Sequence, residues 1–273
     1  HHRFVWNHFH MTPFLKNEKW QRWCLPIIHG FFHYAKCGSY GWTTEVVLIA
    51  RRSRFYAGTR YRKRGLNVDG QVANEVETEQ LLCEDCTRQL SSGHVMSFVQ
   101  IRGSVPLFWS QEATAINPKP PIVYPRCDPT LSATRRHFGD LLERYGTPQL
   151  VVNLMKARKV DSYEVRLSKH FESAIERMNR ELPSPIRMLY RPFDVKNHSK
   201  SSASDVYVVF AKLAESVVSR VGFFHTQEPC YGKPLRLQSG VVRTNCVDCL
   251  DRTNVLQFFV GLEVLKQQLL ALG

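Results

Sequence analysis

Across a proline-rich connector, Asn117–Pro129, the apolar pattern of the chain changes its period. Before it, Leu25–Tyr34, Glu45–Arg51, Val72–Leu82 and Val95–Arg102 read as strands, punctuated by Gly38, Gly41, Gly58, Gly65 and Gly70. After it, helical spacing alternates with short apolar runs. Phe138, Leu141, Leu142 and Tyr145 mark a helix that Gly146-Thr147-Pro148 stops, and Gln149–Met155 follows as a strand. Tyr163–Leu182 carries Leu167, Phe171, Ile175 and Met178 on one helical face, and Ile186–Tyr190 is a further strand. Lys196–Ser204 reads as a basic loop, and Val206, Phe210, Leu213, Val217 and Val221 line a third helix. Gly240–Thr244 is a strand, and a last helix runs from Thr253 to Leu270. This alternation, added to the strand-rich first part, predicts an α/β fold: a mixed β-sheet flanked by helices. The first part lacks the helix to cover both faces of a sheet, so one domain over residues 1–273 is expected.

Composition narrows the function classes. With 43% hydrophobic and 22% charged residues the chain is globular rather than disordered. Lys and Arg number 37 against 24 acids, a net charge of +13 that predicts an anionic partner. No apolar run approaches the roughly 20 residues of a spanning helix, and no signal-peptide core is visible. A start at His1 rather than Met reads as an excised segment of a longer chain. Of the 8 cysteines, Cys24, Cys37, Cys127 and Cys230 stand alone, while Cys83/Cys86 and Cys246/Cys249 form C-x-x-C pairs. A chain this long buries a core without disulfide staples, so a reducing, cytosolic setting is expected. The two pairs lie far too distant in sequence for a zinc ribbon, and no metal site is expected.

The stretch Arg243–Asn254, RTNCVDCLDRTN, sits between the last strand and the last helix. Such a junction aims backbone N–H groups and the positive end of a helix into one volume, a ready anion site. Cys246 and Arg252 have the spacing C-x5-R. Five residues suffice to wrap the loop amides of Val247, Asp248, Cys249, Leu250 and Asp251 around one phosphate, and the closing Arg supplies a planar fork for two of its oxygens. The same groups favour the thiolate of Cys246, the nucleophile toward phosphorus, and Thr253 can hydrogen-bond the sulfur as it leaves. A carboxylic acid must protonate the departing alcohol, and the loop contains both Asp248 and Asp251. Flanking Arg243 and Asn245 join the substrate-binding set. The opposing reading makes Cys246 and Cys249 inert core thiols, yet two acids and an Arg are an unusually polar setting for that.

RTNCVDCLDRTN resembles the catalytic signature of the Sac-domain phosphoinositide phosphatases. Further blocks carry the resemblance along the chain: Phe4-Val5-Trp6-Asn7, Arg51-Arg52-Ser53 with Ala57-Gly58-Thr59-Arg60-Tyr61 and Lys63-Arg64-Gly65, Ala73 to Gln80, and Arg102-Gly103-Ser104-Val105-Pro106 with Trp109-Ser110-Gln111. Within the family, ANEVETEQ and Ala214-Glu215-Ser216-Val217-Val218 with Gly222-Phe223-Phe224 resemble the branch that removes the 5-phosphate of phosphatidylinositol 3,5-bisphosphate on vacuolar and late endosomal membranes. The resemblance implies a Sac catalytic domain lacking the amino-terminal Sac subdomain and the carboxy-terminal tail. It implies a cysteinyl-phosphate intermediate, with Cys246, Asp248 and Arg252 catalytic and Asp248 preferred to Asp251 as the acid. Lys200 holds its place in the branch's lysine pattern near Asp194, while Lys196 is displaced, and Lys200 is assigned to the substrate.

The resemblance further implies a peripheral enzyme on the cytosolic face of endosomal or vacuolar membranes, with a phosphoinositide in an anionic leaflet as ligand. A scaffold protein and a phosphoinositide kinase are its implied partners. It brings in a Mg2+ dependence for part of the family, although thiolate chemistry requires no cofactor and no carboxylate cluster here has ligand spacing. Lys63, Arg64 and Lys200 are expected to face the membrane or a second phosphate. Nucleic acid is the rival for the positive charge, but no nucleic-acid motif accompanies it. Two other functions stay open. A protein tyrosine phosphatase shares C-x5-R, though Val247–Asp251 lacks the glycine such loops want, and a catalytically silent scaffold subunit is the third reading.

Overall fold

The computed structural model of the chain describes residues 1–39, 42–59, 62–84, 93–111, 120–156, 162–194, 203–227, 234–247 and 251–272. Two short helices, α1 (His8–Leu15) and α2 (Glu18–Gln21), precede four long strands, β1 (Gly30–Ser39), β2 (Trp42–Arg52), β3 (Val76–Glu84) and β4 (His94–Gly103). The two-residue strands β5 (Ser110–Gln111) and β6 (Ile122–Val123) pair with each other. The remaining elements alternate: α3 (Ser132–Tyr145), β7 (Gln149–Asn153), α4 (Tyr163–Glu181), β8 (Leu189–Pro192), α5 (Ala203–Val221), β9 (Phe224–Gln227), β10 (Val241–Asn245) and α6 (Asp251–Leu270).

The main sheet is mixed, as the pattern predicts. Its order is β1-β2-β3-β4-β10-β7-β8, antiparallel from β1 to β4 and parallel from β4 through β10 and β7 to β8. Strand β4 is shared: β9 pairs with its first half and β10 with its second. The central parallel strands β7 and β10 are covered on both faces, and every residue of each is buried. Along β7, Leu150 and Val152 join the core under α5 and α6, while Val151 joins the core under α3 and α4. Val242 and Val241 of β10 divide in the same way. The predicted stripe Leu167, Phe171, Ile175 and Met178 is the buried face of α4.

The start of β10 depends on a glycine. Gly240 has φ +70°, and a Cβ there would lie 1.9 Å from the carbonyl oxygen of Pro148. The close approach lets the Val241 amide donate to that oxygen at 3.1 Å and sets the register of β10 against β7.

Several boundaries differ from the sequence expectation. Helices α1 and α2 lie in the part expected to be mostly strands and turns; neither buries a side chain, so neither carries an amphipathic period. Leu25–His29 stays outside β1, whose pairing starts at Gly30 opposite Arg51. In place of a strand from Ile186, a 3-10 turn occupies Ser184–Ile186, where Pro183 and Pro185 bend the chain, and β8 starts later. Strand β9 was not foreseen. Most of the expected loop Lys196–Ser204 lies outside the described residues, and its last two residues open α5.

Candidate active site

The carboxyl ends of β4, β10 and β7 lie side by side, with Gly103, Asn245 and Asn153 in register. Helix α4 follows β7 and helix α6 follows β10, so two helix amino termini open at this one end of the sheet. Crevices outside the carboxyl ends of parallel strands are where α/β folds bind their ligands.

Cys246 leaves β10 directly into this place. It is 1% exposed and packs in the apolar core under α5 and α6, together with Leu154 and Leu256. The expected loop is described at its two ends: Asp248, Cys249 and Leu250 lie outside the described residues, as do Lys196 and Lys200. At the far end, Asp251 is the exposed first residue of α6, where a carboxylate complements the helix dipole, and Thr253 is fully buried.

Arg252 comes to the same corner from the first turn of α6. Its Nη1 donates to the Leu154 carbonyl at 2.9 Å and to Oε1 of Glu164. Glu164 stands in the first turn of α4, accepts the Lys156 amide at 3.2 Å and lies 3.7 Å from Lys156 Nζ. No feature of the sequence distinguishes Glu164 from an ordinary first-turn acid.

Beneath the loop runs a buried polar chain that the sequence reading missed. Arg243, 1% exposed, donates from Nε to His137 Nε2 at 2.9 Å, from Nη2 to the Ser104 carbonyl at 2.6 Å and from Nη1 to Asn245 Oδ1 at 3.3 Å. Asn245 Nδ2 donates to Asn153 Oδ1 at 2.7 Å, and Asn153 Nδ2 donates to Ser168 Oγ at 2.9 Å and Tyr190 Oη at 2.7 Å. His137 Nδ1 lies 3.1 Å from the Gly70 carbonyl. A carbonyl only accepts, so the proton is on Nδ1, and the lone pair of Nε2 receives Arg243. Burial first, then the charges of Arg243, Arg144 and Arg3, holds the His137 pKa well below the ordinary imidazole value. The Arg243 and Asn245 side chains therefore point down into the protein and tie β10 to α3, β4, β7 and α4.

The basic residues need a correction. Arg64 was expected to face a membrane or a second phosphate; at 3% exposed it does not face a membrane, and its Nη1 donates to the Val247 carbonyl at 2.8 Å, its Nε to Gln111 Oε1 at 3.2 Å, with the guanidinium 5.8 Å from the Trp109 ring centre. It braces the start of the loop from beside β5. Arg51 pairs with Glu77 and Glu79, Arg52 donates to Asn74 and Arg54 to the His2 carbonyl. Lys63 is exposed, as expected, and lies over the Tyr56 ring at 4.7 Å. Much of the positive charge upstream of the loop is thus spent inside the fold. Among the described residues no three His, Cys, Asp or Glu side chains gather where an ion would sit. None of the described helices is long and apolar enough to cross a membrane.

A buried parallel strand thus delivers a cysteine, and the first turn of the following helix presents an arginine, at the carboxyl end of the sheet. Comparison with known proteins identifies the family. Residues 1–200 match the SacI homology domain, and the chain belongs to that family. It is 43% identical over 278 residues to a polyphosphoinositide phosphatase of Schizosaccharomyces pombe, covering 99% of this chain and 33% of that protein. It is 36% identical over 322 residues to phosphoinositide phosphatase SAC3 of Arabidopsis thaliana (99% and 39%) and 38% identical over 275 residues to synaptojanin-1 of Mus musculus (99% and 16%). The chain spans about a third of the length of the first two. The family match ends at residue 200, whereas the relatives align through the cysteine loop as well.

Proposed function

We propose that the protein hydrolyses a phosphate monoester of an inositol lipid through a cysteinyl-phosphate on Cys246, and that its substrate is the 5-phosphate of phosphatidylinositol 3,5-bisphosphate. The observation that carries the reading is the convergence of Cys246 and Arg252 at the carboxyl end of β10, on a sequence aligned with relatives named phosphoinositide phosphatases. The Cys246 thiolate attacks phosphorus, the S–P bond forms as the P–O bond to inositol breaks, and Asp248 protonates the leaving oxygen. Water then displaces the sulfur and releases inorganic phosphate. Arg252 and the loop amides hold the phosphate oxygens through both steps. Asp251, at the start of α6, suits a bracing role through the helix dipole better than proton transfer. Residence on the cytosolic face of endosomal or vacuolar membranes, with a scaffold protein and a phosphoinositide kinase as partners, accompanies this reading.

The test is phosphate release from a panel of short-chain phosphoinositides and a tyrosine phosphopeptide. We expect release from the 3,5-bisphosphate, its abolition in Cys246→Ser with lipid binding retained, and near-normal rates for Cys249→Ser in reducing buffer. Release from the phosphopeptide alone sinks the lipid reading; release from neither favours the silent scaffold. Equal loss in the two cysteine variants means that the nucleophile is misassigned.

A further inference from the structure

We propose that the groove between α4 and the segment joining β6 to α3 binds a single-chain amphiphile with an anionic head, a fatty carboxylate or a lysophosphate. None of its residues belongs to the set assigned to hydrolysis. The groove holds about 390 Å³, within the roughly 300–1,000 Å³ range of small-molecule sites. Its floor is apolar and continuous with the interior. Ala174 is buried, Leu107 and Leu131 pack on the core under α3 and α4, and Phe108 packs against Leu66, Val72 and Ala133.

The rim carries positive charge. His170, Ser173 and Arg177 follow the three- and four-residue spacing of one helix face along α4. The rings of Tyr124 and His170 meet across the groove with centres 5.0 Å apart, and Arg126 lies 5.3 Å from the Phe108 ring centre. Among the described residues no carboxylate pairs with Arg126 or Arg177, and the nearby acids are already engaged. Glu181, one turn beyond Arg177, pairs with Arg135 at 2.7 Å. Asp128, in the groove wall, caps α3: its Oδ1 accepts the Ser132 amide at 3.1 Å and its Oδ2 the Ala133 amide at 3.2 Å. Two guanidinium groups over an apolar floor select the ligand. A bare anion leaves the floor wet, and a neutral chain leaves both forks without an acceptor. A protein partner needs a contact of about 800 Å² on each side, whereas this concavity has the size of one small molecule.

Three cysteines make the test site-specific. Cys127 lies exposed in this groove, Cys37 lies exposed on β1, and Cys24 lines a second groove beside Trp20 and Trp23. The full chain is titrated by calorimetry with oleoyl lysophosphatidic acid and with oleate, both below micelle formation. Alkylation of each cysteine by N-ethylmaleimide is followed by peptide mass spectrometry, with inorganic phosphate, oleoyl lysophosphatidylcholine and phosphatidylserine vesicles as further arms. We expect one-to-one binding, and the tighter of the two amphiphiles identifies the head. At about ten times Kd the ligand should slow alkylation of Cys127 about tenfold and leave Cys37 and Cys24 unchanged. Lysophosphatidylcholine, neutral overall, should bind at least about tenfold more weakly. Arg126→Glu combined with Arg177→Glu should weaken the anionic ligand about 20-fold. Ser173→Trp, at an exposed helix position, should fill the groove and abolish protection with the melting temperature unchanged. Absence of binding by both amphiphiles overturns the inference, as does protection of Cys24 in place of Cys127. Equal effects from lysophosphatidylcholine or from phosphate alone, or binding that survives both variants, overturn it as well. Protection of Cys127 by vesicles alone makes this face a membrane contact and overturns the single-ligand site. None of these readouts depends on turnover, so the phosphatase reading stands or falls separately.

Discussion

Strand β10 and strand β1 belong to one sheet and live in opposite surroundings. All five residues of β10 are buried, and three of them, Arg243, Thr244 and Asn245, are polar; Arg243 and Asn245 hydrogen-bond one another and His137, Ser104 and Asn153. β1 lies at the edge with Phe31, Phe32 and Tyr34 exposed, so both of its faces reach solvent. The ten-residue register with β2 keeps β1 a strand without burial. Pairing and burial are therefore separable here. Backbone hydrogen bonds build the hairpin, while packing and a fully connected polar chain build the site.

The contrast can be broken most severely at Arg243. Arg243→Met leaves the His137, Asn245 and Ser104 groups without their donor, and we expect a loss of about 3–5 kcal/mol in urea unfolding. A loss below about 1 kcal/mol would mean that the polar chain does not hold β10.

Next in size is a pH effect. The folded pKa of His137 is depressed, so the unfolded chain binds the extra proton first as pH falls. Its contribution to stability is complete above pH 6.5 and declines below it, by about 1.4 kcal/mol per pH unit at most, until the folded pKa is reached. Unfolding free energies between pH 7.5 and 5 should slope less in His137→Gln than in wild type; parallel slopes would contradict the buried neutral imidazole.

Arg64 and Lys63 come third, as neighbours in sequence with opposite placements. Arg64→Ala should lower turnover about tenfold on soluble and vesicle substrates alike, with little salt dependence, because it loosens the loop at Val247. Lys63→Ala should cost less than about threefold, and only on anionic vesicles at low salt. Identical, salt-sensitive losses in both would return Arg64 to the membrane-facing set.

The smallest expected change is at the edge. Phe32→Ser should alter stability by less than about 0.5 kcal/mol, since the side chain is already 64% exposed, while reducing self-association in light scattering.

How much of this was legible follows from which interactions are local. The helices α3, α4, α5 and α6 were readable because each buries one face and prints that face as a period in the sequence, and β7 and β10 because each opens on a short apolar run that is buried on both faces. Cys246 and Arg252 stood out because the C-x5-R spacing puts both on one loop, with five residues between them. Arg64, Glu164, Asn153 and His137 were not, since each acts on a partner far along the chain: Arg64 reaches Val247 across 183 residues and Glu164 reaches Arg252 across 88. A lysine-and-arginine block reads as a charged surface until the fold shows which guanidinium is inside. Asn153 alone left a trace, as the polar residue closing the apolar run of β7. Helices α1 and α2 left none, because an unburied helix has no stripe to print.

The position of β10 also sets an order of assembly. Among the described residues it is the only strand joining the β1–β4 half of the sheet to β7 and β8, yet it is the last strand to be synthesised. Chains emerge from the ribosome at about 5–20 residues per second, so the two half-sheets exist with open edges for some seconds before their keystone arrives. Those edges, at β4 and β7, are the places where an unfinished chain can pair wrongly with a neighbour. A nascent protein truncated before Val241 would lack both the strand that pairs the two half-sheets and the α6 residues Leu256, Val260 and Val264 of the core. The strand that delivers Cys246 is thus also the strand that closes the sheet.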